Sequence, residues 1–172
     1  EVQYLRGLAN KVLLISKMPD QNKKRKKWAK HNALMGKEPM VFVYPDGAWD
    51  ELLPGSAFQC KSELGRSLEH QLLLKLIRND YIPDDVPIES NIKINKVIHN
   101  SMWGVQPMVT KPAEQRGAWH HDPIMEEPSD WKQLKQPEVE YDDVKTKRIY
   151  EAAGDALGDI LEPKLVGVTN FS

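Results

Sequence analysis

Apolar residues at Val2, Leu5, Leu8, Ala9, Val12 and Leu13 recur three and four positions apart. That spacing predicts a one-sided helix over residues 2–17. Pro19 interrupts it, and Asp20 is placed to cap a second helix running to about residue 35, with Gly36 as its stop. The next stretch, EPMVFVY, is almost wholly apolar, which predicts a short strand buried on both faces, as in a parallel sheet. Pro45-Asp46-Gly47 then forces a turn, and AWDELLP predicts a single helical turn. Ser62 is a good cap for a long helix whose stripe is Leu64, Leu68, Leu72, Leu73, Leu76 and Ile77. After a loop rich in proline and acid, IKINKVI alternates apolar and polar and predicts a half-exposed strand. Residues 103–124 read as irregular. Ser129 caps a short helix carrying Trp131 and Leu134, and PEVEYDD opens the last helix. Its core face is Val144, Ile149, Ala152, Ala153, Ala156, Leu157 and Ile160, ended by Gly158 and Pro163, and PKLVGVTNF is the final strand.

Apolar strands separated by amphipathic helices predict an α/β fold with a parallel sheet, whose binding loops gather at the carboxyl ends of the strands. The length, 172 residues with 40% apolar, allows one domain with a real core. The formal net charge of −1 provides no overall field to draw in nucleic acid or an anionic membrane. The KKRKK run at residues 23–27 is the one local exception. The commoner reading of such a run is a solvated helix face, so nucleic acid is not an expected partner. No apolar run approaches the roughly 20 residues that cross a bilayer, and the first residues lack the order of a signal peptide. Cys60 is the sole cysteine, which excludes an internal disulfide and points to a reducing, cytoplasmic setting. The chain begins at Glu1 without methionine and stops directly after an apolar strand-like run. The expectation is a piece of a longer protein, whose open strand edges favour a homodimer.

Several residues carry candidate chemistry. Tyr44, Asp46 and Trp49 follow the first expected strand and are candidates for substrate contact, weighed against plain turn chemistry. Asp84, Asp85 and Glu89 form a carboxylate group in which burial would raise one pKa and make a general acid; the bland reading is an acidic loop. Trp103 reads as a wall or core residue. His120 and His121, followed by Asp122, are ligand-type side chains, but adjacent residues of an extended chain point to opposite sides. No metal site is therefore expected, and a histidine bordering a substrate pocket competes with a solvent-facing loop. Cys60 has a lysine neighbour that would lower its pKa, against the plainer reading of a half-buried thiol. His31 and His70 sit on helices and read as structural or exposed.

The segment KKRKKWAKHNALMGKEPMVFVYPDG carries R-x-x-x-A-x-x-x-x-x-x-G, then a proline and a strand-like run. Together with DDVPIES, SMWGV, DPIMEEPSDWKQLKQPEV and GDALGDILEPKLVGV, in that order, it resembles the uroporphyrinogen decarboxylase superfamily over residues 20–172. It is most similar to the long bacterial members related to the corrinoid methyltransferases. The resemblance implies a partial (β/α)₈ TIM-type barrel over residues 37–172 that continues beyond the chain, preceded by a helical segment over residues 1–36. It implies an enzyme of methyltransferase or decarboxylase-like lyase type acting on a small molecule, with methyl transfer or related one-carbon chemistry in the intact protein and an inactive fragment here. Asp85, with Asp84 equally placed, matches the family's essential aspartate. The loop YPDGAWDELLP lacks the arginines that hold the decarboxylase's tetra-acidic substrate, so porphyrinogen decarboxylation is not expected. A corrinoid carried by a partner protein, or zinc, would belong to the intact protein; no H-x-C motif for zinc occurs in this segment. The rival expectation is a non-catalytic α/β binding module.

Overall fold

The computed structural model describes residues 1–105, 108–110 and 120–167. In chain order these form α1 (Val2–Ser16), α2 (Pro19–Asn32), α3 (Trp49–Leu52) and α4 (Glu63–Tyr81), then β1 (Asn91–Asn95) and β2 (Ile98–Asn100). β3 (Val109–Thr110), β4 (His120–His121), β5 (Val139–Tyr141), α5 (Asp143–Leu157) and β6 (Glu162–Val166) complete the series. β1 and β6 pair in parallel, from Asn91 opposite Glu162 to Asn95 opposite Val166. Parallel neighbours need a crossover, and here it contains α5, which packs on both strands. The chain between them makes two small antiparallel pairs, β2 with β5 and β3 with β4. The fold is mixed α/β, and the described residues close no barrel.

One core joins these pieces. Leu5, Leu8, Ala9 and Val12 of α1 meet Leu68 and Leu72 of α4, Ile92 and Ile94 of β1, and Ala153 and Leu157 of α5. Each large aliphatic side chain buried this way contributes about 1.5–3 kcal/mol. The alternation of β1 follows directly: Ile92 and Ile94 are buried while Lys93 and Asn95 are exposed, so the sheet has one covered face. The strong helices start where their caps dictate. Ser62 Oγ accepts from Gly65 N at 3.2 Å, and Asp142 Oδ1 accepts from Lys145 N at 2.8 Å. A side chain on Gly65 would meet Ser62 Oγ at 2.6 Å, so the capping turn requires glycine there.

Several expectations need correction. EPMVFVY is not a buried strand: residues 38–44 pair with no strand, and Val41, Phe42, Val43 and Tyr44 are all exposed. The main-chain groups of Val41 and Val43 are taken instead by Asp85, Asp84 and Arg78. α2 ends at Asn32, four residues before Gly36, and the chain leaves it through Leu34 in the left-handed region at φ 58°, with Met35 N bonding back to Lys30 O. PEVEYDD contributes a strand before the last helix, whose cap is Asp142, and Val144 is exposed. The turn at 126–133 is held by Asp130, which accepts from Glu126 N and Glu127 N, while Ser129 makes no side-chain cap. Of PKLVGVTNF, β6 includes residues 163–166, and residues 168–171 lie outside the described residues, as do 106–107 and 111–119 of the irregular stretch.

Candidate functional site

The acidic loop DDVPIES lies at the centre of the candidate site, with α2 on one side and residues 41–44 on the other. α2 has almost no apolar face, and polar side chains dock it. Arg25 donates to Glu89 Oε1 at 2.9 Å and to the carbonyls of Ser16 and Ile88. Gln21, almost fully buried, accepts from Ile88 N at 2.7 Å. Lys27 reaches Asp85 Oδ1 at 3.0 Å, and Trp28 Nε1 donates to the Asp85 carbonyl at 2.8 Å. The basic run and the acidic loop are thus each other's counter-charges. Lys23, Lys26 and Lys30 face a separate cleft of about 490 Å³ that Lys37 and His31 also line.

The two aspartates also clamp the neighbouring segment. Asp85 Oδ2 accepts from Val41 N at 2.8 Å, while Asp85 N donates to Val41 O at 2.9 Å. The Val41 amide, then the Lys27 ammonium, hold the Asp85 carboxyl below its ordinary value. Asp84 has a fully buried side chain paired with Arg78, whose side chain is 14% exposed. Its other bonds come from Val43 N at 3.2 Å and Val86 N at 3.1 Å. Arg78 also donates to Val43 O and lies over the Phe42 ring, which stacks on Tyr44. Each of the three expected acids is therefore paired with a cation, and Asp84 and Asp85 hold residues 41–44 in place.

That clamp sets one wall of a cleft of about 520 Å³. Tyr44 and Trp49 line it from one side, Lys75 and Arg78 of α4 from another, and Glu89 and Lys93 from the β1 side. The volume falls in the range of small-molecule sites. Sequence reasoning singled out three of these residues, Tyr44, Trp49 and Glu89. Asp84 and Asp85 support the cleft without lining it. Asp46 opens the neighbouring turn with a φ of 49°, which an aspartate tolerates. Trp103, His120 and His121 are exposed and do not line this cleft. His120 Nε2 lies 3.1 Å from Asp122 Oδ1. Among the described residues no three of His, Cys, Asp or Glu gather into a metal-holding group, and no helix is long and apolar enough to cross a membrane. Cys60 is buried, and burial followed by its contact with Glu69 pushes the thiol up to about 11, the opposite of an activated cysteine.

The sequence reading singled out neither Arg78 nor Lys93 of the cleft, nor Lys75 and its helix neighbour Gln71. Gln71 donates to Lys93 O at 2.9 Å and accepts from Lys93 N at 2.8 Å, so its amide stands in for a missing strand along the free edge of β1. Four residues on, Lys75 Nζ donates to Glu89 O at 2.8 Å and to Asn91 O. Four residues of helix rise about 6 Å, close to the 6.6 Å or so spanned by two residues of strand. The i, i+4 pair of α4 therefore matches alternate residues of β1. Burial, which the Glu89 charge only partly offsets and the Lys93 and Lys164 charges reinforce, lowers the Lys75 ammonium to about 8. The signal available in the sequence was the Gln71/Lys75 spacing beside an exposed-edge strand.

What fold and site define is a mixed α/β unit with an open cleft beside the free edge of a parallel strand pair. No family model, no curated protein and no solved structure matches the chain.

Proposed function

We propose that the chain is a small-molecule-binding α/β unit whose cleft takes an anionic compound with a flat apolar body. The observation that carries this reading is the cleft itself, where Tyr44, Trp49 and Glu89 arrive from separate segments around one space. Trp49 and Tyr44 offer aromatic surface. Lys93 is bonded through its main chain to Gln71, which leaves its ammonium to meet an anion. The test is titration of the full chain with benzoate and phenyl phosphate, followed through tryptophan fluorescence and amide chemical shifts. Saturable binding that shifts the amides of residues 44–49 and 89–93 and weakens about tenfold in Trp49→Ala is expected. Shifts scattered over the surface with no saturation refute it.

In the larger reading, this unit is part of a partial (β/α)₈ barrel of the uroporphyrinogen decarboxylase-like class, working in methyl transfer or related one-carbon chemistry with a corrinoid-bearing partner. The order of motifs and the parallel β1–α5–β6 crossover support it, although shared architecture alone is a weak guide to a reaction. The intact gene product, given methylated amines or ethers and a corrinoid protein, should then transfer methyl groups, and no transfer ends that part of the reading. The engagement of Asp84, Asp85 and Glu89 by Arg78, Lys27 and Arg25 favours the alternative, a binding module without proton chemistry of its own.

A further inference from the structure

We infer that Lys75 is an amine nucleophile and that the cleft takes an anionic carbonyl compound, an aldehyde or ketone, held as an imine on Lys75. The inference rests on the cleft being a small-molecule site and adds the chemistry that would occur there. A neutral amine has two N–H groups and one lone pair. The carbonyls of Glu89 and Asn91 take two donors from Lys75 Nζ, and the side chain lines the cleft, which is where its remaining valence can meet a ligand. Lys75 is half-buried, and among the described residues no carboxylate forms an ion pair with it, so none of them has to be displaced before it reacts. The charged groups around it are Glu89, itself paired with Arg25, together with Lys93, Lys164, Arg78 and the titratable His70. Arg78 is paired with Asp84 and Lys164 with Glu162, so it is chiefly the Lys93 charge that favours both the uncharged amine and a ligand bearing an anion. With its ammonium at about 8 against the ordinary 10.5, Lys75 at neutral pH is neutral roughly a few hundredfold more often than a surface lysine.

The reaction balances without an external redox partner. The nitrogen lone pair adds to the carbonyl carbon, and the carbonyl oxygen takes a proton to give a carbinolamine. Nitrogen releases one proton to solvent as the carbinolamine forms, and the hydroxyl takes one from solvent and leaves as water, so amine, carbonyl and a proton become protonated imine and water at unchanged oxidation level. The protonated imine retains one N–H for one of the two backbone carbonyls. Lys93 is placed to meet the anionic group, and Trp49 and Tyr44 to flank the body of the ligand.

Two probes of one shape separate binding from bond formation: pyridoxine 5′-phosphate, an alcohol, and pyridoxal 5′-phosphate, the corresponding aldehyde. The full chain is titrated with each, then treated with borohydride after the aldehyde, and the labelled peptides are mapped by mass spectrometry. Lys75 is expected to be labelled about tenfold faster than exposed lysines such as Lys61, with the alcohol competing. Lys75→Arg keeps donors for the two carbonyls and removes the nucleophile. It should lose the fast label. If the alcohol binds but Lys75 is labelled no faster than Lys61, the nucleophile is overturned and the binding cleft stands. If neither probe binds and labelling is uniform, both readings fall. Fast labelling of Lys75 without alcohol binding supports the nucleophile and removes the anion-binding cleft. Because the map is read on the unaltered chain, a misfolded variant does not remove the test.

Discussion

Replacing Asp84 by asparagine separates two roles that the sequence left open for it. As a proton-transfer group, Asp84 would lose activity on replacement and leave the fold intact. The structure gives it a different burden: a fully buried carboxylate facing Arg78, with the amides of Val43 and Val86 on its two oxygens. Asparagine offers one carbonyl oxygen, so one amide loses its acceptor and the new NH₂ faces a donor. Breaking one side of a buried ion pair costs about 3–5 kcal/mol, and an orphaned buried N–H about 1–3. The two overlap, and a loss of about 4 kcal/mol is expected for Asp84→Asn, a large share of the stability of a small domain. Urea denaturation at neutral pH, followed by circular dichroism, reads it. Arg78→Met alone, and combined with Asp84→Asn, completes a cycle in which a coupling of about 2 kcal/mol or more identifies the pair as the cause. The amides of residues 41–44 should lose hydrogen-exchange protection, and ligand affinity should fall as the Tyr44 wall loosens. A loss below about 1 kcal/mol with an unchanged exchange pattern would refute the clamp.

Two further substitutions test the framework. Glu69 is fully buried, which alone would raise its carboxyl, but the amides of Gln59 and Cys60, with the Tyr4 hydroxyl, outweigh burial and hold it below its ordinary value. Glu69→Gln should cost about 2–4 kcal/mol at neutral pH. The carboxylate's contribution is complete above its ordinary 4.5 and vanishes as pH falls through the lower folded value, so the gap between wild type and variant should close only in acid; a gap independent of pH would contradict the charged anchor. Gln71→Ala should cost about 1 kcal/mol and speed exchange of the Lys93 amide roughly fivefold, whereas an unchanged Lys93 rate would mean that the β1 edge is not capped by α4.

Local patterns foretold the parts of this fold that are locally determined. The Ser62 cap and the leucine stripe gave α4, the alternation in IKINKVI gave β1, and the alanine-rich face gave α5, since period and capping are written within a few residues. The apolar run at 38–44 failed because a run of Val and Phe has one appearance whether or not another element covers it. The basic run at 23–27 and the acids at 84–89 were both visible in the sequence. Their mutual pairing was not, because it joins residues about 60 positions apart, such as Arg25 and Glu89. For the same reason nothing in the helix pattern singled out Lys75, and only the strand laid against it makes it a half-buried amine.

The position of the cleft wall therefore depends in part on side chains that do not line the cleft. α2 contributes little apolar area, so its attachment rests on Gln21, Arg25, Lys27 and Trp28 acting on the acidic loop. That loop in turn fixes Val41 and Val43, and through them Tyr44. Residues with exposed apolar side chains stay ordered here because their backbone, not their side chains, is held. A polar linkage of this kind has discrete partners and therefore discrete failures: losing Asp84 releases the wall, while losing Arg25 loosens α2 and leaves Glu89, which borders the cleft, without its cation. A freed Glu89 would favour the charged form of Lys75 and thereby reduce its nucleophilicity. The basic helix, which does not itself line the cleft, thus helps through Arg25 and Glu89 to set the charge state of Lys75.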